Sequence, residues 1–308
     1  MTTRVSTTGN YSAVLANLMA AQQRQMAAGD KVATQKNGSD LKDYARHAET
    51  LTAMRTVQAR LEVYADQNKL IADKLTTQDA ALNQVTDSAA ATRQSIADAI
   101  ASGRGDTLME DLQAHFRNAV EGMNARYAGK YLFAGGQIDA RPVTAGQLSD
   151  LTAPLTAIAD FFHNDRFKVQ AKIDDSTTVT TGVLADEIGT DLLTAYKAMQ
   201  AFHEATPFGG ELTPAQLTFL EGQLATWDRL RGDLTNTTAR NGLVQKRVDS
   251  VKADLVTREN TLAGMMGDIT DADMPLAVSQ LQMAQMSVQA SAQVFMALQQ
   301  TSLLNLLK

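Results

Sequence analysis

The four histidines, His47, His115, His163 and His203, have the side chains best suited to catalysis or metal binding, and they stand far apart along the chain. None shows the His-Glu-x-x-His spacing that puts two imidazoles on one helix face around zinc, so no metal site is expected. Asp268, Asp271 and Asp273 are close enough to suggest a cation loop. They lack the central Gly and distant Glu of an EF-hand, and Pro275 follows, so helix capping by carboxylates is the expected role. Gly135-Gly136 comes without a Gly-Lys-Ser/Thr run or a dinucleotide fingerprint and reads as a turn. Arg104-Gly105-Asp106 and Arg231-Gly232-Asp233 spell the integrin-binding tripeptide; the first falls in a turn and the second inside a helical pattern, and chance accounts for both. These residues call for no cofactor, and the chain does not read as an enzyme.

Composition narrows the class further. The chain has 308 residues, only 5% of them aromatic, and just 5 prolines, which favours long helices over sheets. A net charge of −6 with interspersed signs argues against a nucleic-acid groove, which needs a clustered basic face. With no cysteine there are no disulfides and no thiolate metal ligands. The first residues lack a basic stretch leading into an apolar core and a small-residue cleavage site, so no cleaved secretory signal is expected.

The elements that must carry the function lie at the two ends. Between Met274 and Leu307 there is no charged residue, yet Gln280, Gln282, Gln285, Gln289, Gln293, Gln299 and Gln300 rule out a membrane span. At helical spacing Leu281, Ala284, Val288, Phe295 and Leu298 form one apolar stripe, and Met283, Met286, Ala290, Val294 and Ala297 form a second. Residues 1–29 contain no acid, only Arg4 and Arg24 as charges, and the apolar series Tyr11, Val14, Leu15, Leu18 and Met19. An antiparallel pair of these two helices would hide one stripe and leave the second for neighbouring subunits. Met283, Met286 and Met296 suit adaptable packing against several such neighbours. The ends are expected to be frayed alone and helical on assembly.

Between the ends, Met54, Val57, Leu61, Tyr64, Asn68, Ile71, Leu75, Gln78, Leu82, Val85, Ala89, Thr92 and Ile96 keep the three-four spacing of a heptad seam. A helix from Leu41 to about Ser102 would be on the order of 90 Å long. Asn68 and Gln78 interrupt the seam and are expected to fix register and partner geometry. Gly103 to Asp106 turns the chain, and Leu108, Leu112, Phe116, Val120, Met123 and Tyr127 mark a helix running back. From Ile138 to about Pro214 the periodicity is mixed: residues 167–181 read as a small hairpin, and Leu151 to Phe162 and Asp186 to His203 as short helices. After Thr213-Pro214 a long return helix runs through Trp227 and Val248 to Ile269, with a local weakness expected at Asn241-Gly242. The expected fold is mainly α: a long antiparallel coiled-coil rod with paired terminal helices and a small α/β insert containing a hairpin. The expected division is a terminal-helix assembly domain (1–40 plus 270–308), a rod domain (41–137 plus 214–269) and a variable insert (138–213).

This arrangement resembles the flagellin superfamily over nearly the whole chain. Arg4-Val5-Ser6-Thr7, and Tyr131-Leu132-Phe133 with Gly135 after the second helix, look like the junction members of that superfamily rather than the filament flagellins. Ile269-Thr270-Asp271-Ala272-Asp273-Met274 is similar to a signature that both groups share. The family commonly has Gly-Lys and then Ser-Asp-Asp-Pro before the long helix. This chain has Gly29-Asp30-Lys31 and Gly38-Ser39-Asp40-Leu41, where Ser39 or Asp40 is expected to cap the helix. The resemblance implies a non-enzymatic subunit of the bacterial flagellum joining hook to filament, exported by the flagellar type III route and located outside the cell. It also implies as partners copies of itself, a second junction protein, flagellin and an export chaperone covering the C-terminal helix, with no nucleic acid and no membrane. A filament-forming flagellin is the alternative within the superfamily. A secreted coiled-coil interaction protein is the alternative outside it.

Overall fold

The computed structural model describes the backbone of residues 2–306 and the side chains of residues 12–298. The chain forms two compact units, one from residues 1–61 and 257–308 and the other from residues 62–256. The first is built on helices α1 (Thr2–Thr34) and α7 (Met274–Leu306). They pack along each other antiparallel: at their base Ala272 N–H donates to Gln35 O at 2.9 Å, and higher up a Cβ on Gly29 would meet Leu281 Cδ1 at 4.0 Å. Helix α7 starts where the sequence placed a cap, with Asp273 Oδ1 accepting the Leu276 N–H at 3.1 Å and Pro275 in the first turn.

The first long helix of the rod, α2 (Ala48–Ser102), starts later than the seam suggested. A 3₁₀ turn, Leu41–Tyr44, precedes it, and the capping carboxylate belongs to Asp43, which accepts the N–H groups of Ser39 (2.9 Å) and Asp40 (3.0 Å). The cap expected from Ser39 or Asp40 is therefore supplied in reverse. The cause is Tyr44: its hydroxyl donates to Gly38 O and accepts the Gly38 N–H, both at 2.9 Å, and this closes the turn before an α ladder can begin.

In the second unit α2 runs opposite to the return helix α6 (Pro214–Thr270). Three links give the antiparallel register: Gln245 Nε2 to Leu75 O at 2.8 Å, Gln78 Nε2 to Asn241 Oδ1 at 2.9 Å, and an Arg93–Asp228 ion pair. Helix α6 opens with a capping box, Thr213 N–H donating to Gln216 Oε1 at 2.8 Å while the Gln216 N–H reaches Thr213 Oγ1 at 3.3 Å. Helix α3 (Leu108–Met123) folds back on α2, and Gly122 permits the approach, since a Cβ there would lie 2.9 Å from Val85 Cγ2 and 3.1 Å from Ala81 O. Helix α5 (Ala185–Ala205) closes the core. Its Tyr196 is fully buried between Phe116 (centroids 5.3 Å apart, 79°) and Trp227 (4.8 Å, 70°), with its hydroxyl 2.7 Å from Thr92 Oγ1. Each such edge-to-face pair adds about 0.5–1.5 kcal/mol to what burial alone supplies. Val143, Leu148, Leu151, Leu192 and Met199, all from 138–213, lie in the same buried cluster as Leu82, Phe116 and Trp227.

The seam along α2 is buried as the spacing required at Leu61, Asn68, Leu75, Gln78, Leu82, Val85, Ala89, Thr92 and Ile96, while Val57 is exposed. Its two amides have a defined task. Asn68 Nδ2 donates to Ile173 O at 2.8 Å and Gln78 Nε2 to Thr181 O at 3.2 Å, clamping both flanks of the hairpin β3 (Gln170–Lys172) and β4 (Thr178–Thr180), paired Gln170↔Thr180 and Lys172↔Thr178. A second hairpin, absent from the sequence reading, pairs β1 (Arg126–Tyr127) with β2 (Lys130–Tyr131) through Ala128-Gly129.

Two local expectations are corrected. Leu151 to Phe162 is not one helix but a single turn, α4 (Leu148–Leu151), and a 3₁₀ turn at Ile158–Phe161, because Pro154 and a left-handed Leu155 (φ 63°) separate them. Asn241-Gly242 does not interrupt α6, which runs through from Pro214 to Thr270. Asn241 is buried there, donating to Leu75 O and Asp79 Oδ1 at 3.2 Å and accepting from Gln78.

Candidate assembly interface

The two stripes of α7 face different surroundings. Leu281, Ala284, Val288, Phe295 and Leu298 are half-buried, as are Val14, Leu15 and Leu18 on α1. Ala21 and Ala28 are fully buried, and small side chains at this seven-residue interval let the helices approach closely. Met283, Met286, Ala290, Val294 and Ala297 are exposed. Met283 is 54% and Met286 60% exposed, and Met19 and Met26 of α1, one heptad apart, are equally open. The sequence reading had included Met19 and passed over Met26, which the same seven-residue step could have found. Tyr11 and Arg4-Val5-Ser6-Thr7 lie outside the residues whose side chains are described.

A shallow groove runs between the helices, floored by Ala27, Ala28, Met283 and Ala284 and flanked by Arg24 and Lys31. At the base a polar buckle joins two segments more than two hundred positions apart. Lys36 Nζ meets Asp271 Oδ1 at 2.5 Å, Asn37 N–H donates to Thr270 O at 2.8 Å, and Asn37 Nδ2 to Asp271 O at 2.7 Å. The Lys36 hydrogen bond, followed by that from Thr270, holds the Asp271 carboxyl below its usual range. Of the aspartates expected to cap the helix, Asp273 does so and Asp271 serves the buckle instead. Among the described residues no group of three His, Asp or Glu side chains is placed to hold a metal ion.

The motif around Tyr131 serves the fold. Leu132, Phe133 and Ala134 are buried, Phe133 O accepts the Ala185 N–H at 3.0 Å, and Gly135 adopts φ 67° against Asp165, whose carboxylate accepts the N–H groups of Gly136 and Phe167 at 2.9 Å each. Those two bonds, Gly136 first, lower the Asp165 pKa. A Cβ at Gly135 would strike Asp165 Oδ1 at 2.2 Å, which fixes glycine there. The Tyr131 ring lies under the Arg126 guanidinium, 4.1 Å from its centroid.

Comparison with known proteins agrees with this geometry at the C-terminal end first. Residues 224–307, covering much of α6 and all of α7, match the family of the bacterial flagellin C-terminal helical region. Its C-terminal helices are thus similar to those of bacterial flagellin. Over 98% of its length it is 22% identical to flagellar hook-associated protein 3 of Salmonella typhimurium, of which the match covers 99%. Among solved structures, Bacillus cereus FlgL superposes with a TM-score of 0.55 at 15% identity, covering 70% of this chain and 99% of that one. Xanthomonas campestris FlgL does so with a TM-score of 0.56 at 12% identity and the same coverage. At these identities the structural matches speak for the fold. The full-length sequence match covers nearly all of both chains.

Proposed function

We propose that this protein is a structural subunit that joins the hook of the bacterial flagellum to its filament and assembles through α1 and α7. The observation that carries the reading is the outward stripe of Met283, Met286 and Val294 on α7, with Met19 and Met26 likewise exposed on α1, in a helix pair that has almost no charge. Covering each such side chain is worth about 1.5–3 kcal/mol, and an open apolar face of this kind marks a protein-binding surface. The assembly residues are Tyr11, Val14 and Leu18 on α1 and Leu281, Met283, Met286, Val288, Val294, Phe295 and Leu298 on α7. The neighbours are copies of this chain, a second junction protein and flagellin. An export chaperone covers α7 before assembly, and the type III route delivers the chain to the cell exterior. The terminal helices are frayed until neighbours cover them.

The test is a Met283→Asp/Met286→Asp double variant expressed in a cell lacking the native subunit. Incorporation, scored by immunogold electron microscopy, should be lost while Trp227 fluorescence stays that of a buried indole; normal incorporation would sink the proposal. Purified chain that grows long filaments unaided would favour the filament-flagellin reading instead.

A further inference from the structure

The second unit holds a cationic cleft that neither the fold nor the terminal helices account for. Arg117 of α3, Arg126 of β1 and Arg141 of the following loop line a cleft of about 380 Å³ together with Val120, Tyr131, Ala145 and one acid, Glu121, so that three positive charges face a single negative one. Its walls are set before anything binds. Arg126 is stacked on and hydrogen-bonded to Tyr131, and the Asn124 side chain brackets Val143, donating to its carbonyl at 2.9 Å and accepting its N–H at 3.0 Å. None of the three guanidiniums has an ion-pair partner among the described residues. Unpaired arginines gathered in one cleft are unusual on a chain whose acids outnumber its bases, 34 to 28.

The same unit carries a surface of the opposite character. On the outward side of α2, Glu62, Asp66 and Asp73 fall on one helical face, and Val63 (64% exposed) and Leu70 (62% exposed) stand beside them one heptad apart. Lys69 lies on the same face, three residues from Asp66 and four from Asp73, and none of the three carboxylates has an ion-pair partner among the described residues. Two large apolar side chains on the solvent face of a coiled-coil helix, edged by acids, complement in charge a cleft edged by arginines, beneath which Val120 and Ala145 are buried. The strip cannot fold onto its own cleft. α2 is continuous from residue 68 to residue 85, where Gly122 of α3 packs, and that interval spans about 25 Å of rigid helix.

We propose that the Arg117/Arg126/Arg141 cleft receives the Glu62–Asp73 strip of a second copy of this chain, a head-to-tail contact between neighbouring subunits separate from the terminal-helix face. The contact is heterologous, so it repeats from copy to copy instead of closing a dimer. It deepens the assembly reading and rests on it.

The native chain has no cysteine, so disulfide trapping has no background. Full-length Asp66→Cys and Arg141→Cys variants are mixed in equal amounts at about 1 mM, where contacts of millimolar Kd are populated, and oxidised. The 66–141 heterodimer should outnumber the two homodimers together by about tenfold, where random pairing gives equal amounts, equivalent to about 1.4 kcal/mol of orientation preference. The excess should shrink in about 1 M salt, where the Debye length falls to roughly 3 Å. A statistical mixture of the three possible dimers overturns the proposal, as does an excess indifferent to salt. If trapping is random while Met283→Asp/Met286→Asp still blocks incorporation, this contact fails and the assembly reading stands; if that variant incorporates normally, the assembly reading itself fails.

Discussion

Asn68, Gln78 and Asn241 show how much a polar residue in a coiled-coil seam can specify. The heptad pattern revealed that Asn68 and Gln78 were buried, and the rule that such residues fix geometry held. Their partners were not legible, because Ile173 and Thr181 lie over a hundred positions away on a hairpin that local periodicity cannot dock. Asn241 was misread because Asn-Gly is a turn signal in isolation, whereas here buried hydrogen bonds to Leu75, Asp79 and Gln78 outweigh weak helix propensity. Replacing Asn241 by Leu deprives Gln78 Nε2 of one acceptor and Asp79 Oδ1 of a donor, while Leu75 O keeps the bond from Gln245. The expected loss is about 1–3 kcal/mol, read by urea unfolding followed at Trp227, the chain's single tryptophan. Adding Gln78→Leu should cost less than the sum of the two single changes, since a buried pair removed together leaves fewer orphaned groups. Strict additivity would mean that the two amides do not act together.

At the scale of elements, whatever repeats along a helix was legible and whatever depends on a turn was not. The bounds of α5 and α6 and the two stripes of α7 follow from period and caps. The β1–β2 hairpin was missed because its two-residue turn uses Ala128 at φ 48° where Asn or Gly would advertise the conformation. Leu151, Ile158, Phe161 and Phe162 imitated a helix because loop residues that plug a core can fall at helical spacing by accident. The buckle at the base of α1 and α7 was half legible: the aspartates were noticed, their partner Lys36 was not. It also makes the terminal pair sensitive to acid. The folded Asp271 pKa lies below its ordinary value, so its contribution is fully present above the usual carboxylate pKa and is lost as pH falls through the depressed one. Lys36→Met should therefore lower the midpoint of the first thermal transition at pH 7. That deficit should narrow as pH drops below about 4, where an ordinary aspartate becomes protonated. A deficit unchanged down to pH 3 would show that Lys36 acts through packing rather than charge.

For the molecule as a whole, the two units differ in what holds each of them together. The second unit has the aromatic cluster of Phe116, Tyr196 and Trp227 and a continuous buried core; the first relies on half-buried stripes and a solvent-exposed buckle. Half-burial supplies only part of the roughly 1.5–3 kcal/mol available per side chain, while each ordered residue still costs about 1–2 kcal/mol of backbone entropy. The terminal helices should consequently melt first in the isolated chain. On heating, far-UV circular dichroism should lose the signal of α1 and α7 before Trp227 fluorescence changes, giving two separated transitions. Deleting residues 274–308 should abolish the first transition, because α1 loses the face it packs on, and leave the Trp227 transition nearly where it was. A single coincident transition in the full chain, or a Trp227 midpoint that falls sharply on deletion, would mean that the terminal pair supports the core. The apolar stripe would then be retained for stability, and assembly would have to draw on other surfaces.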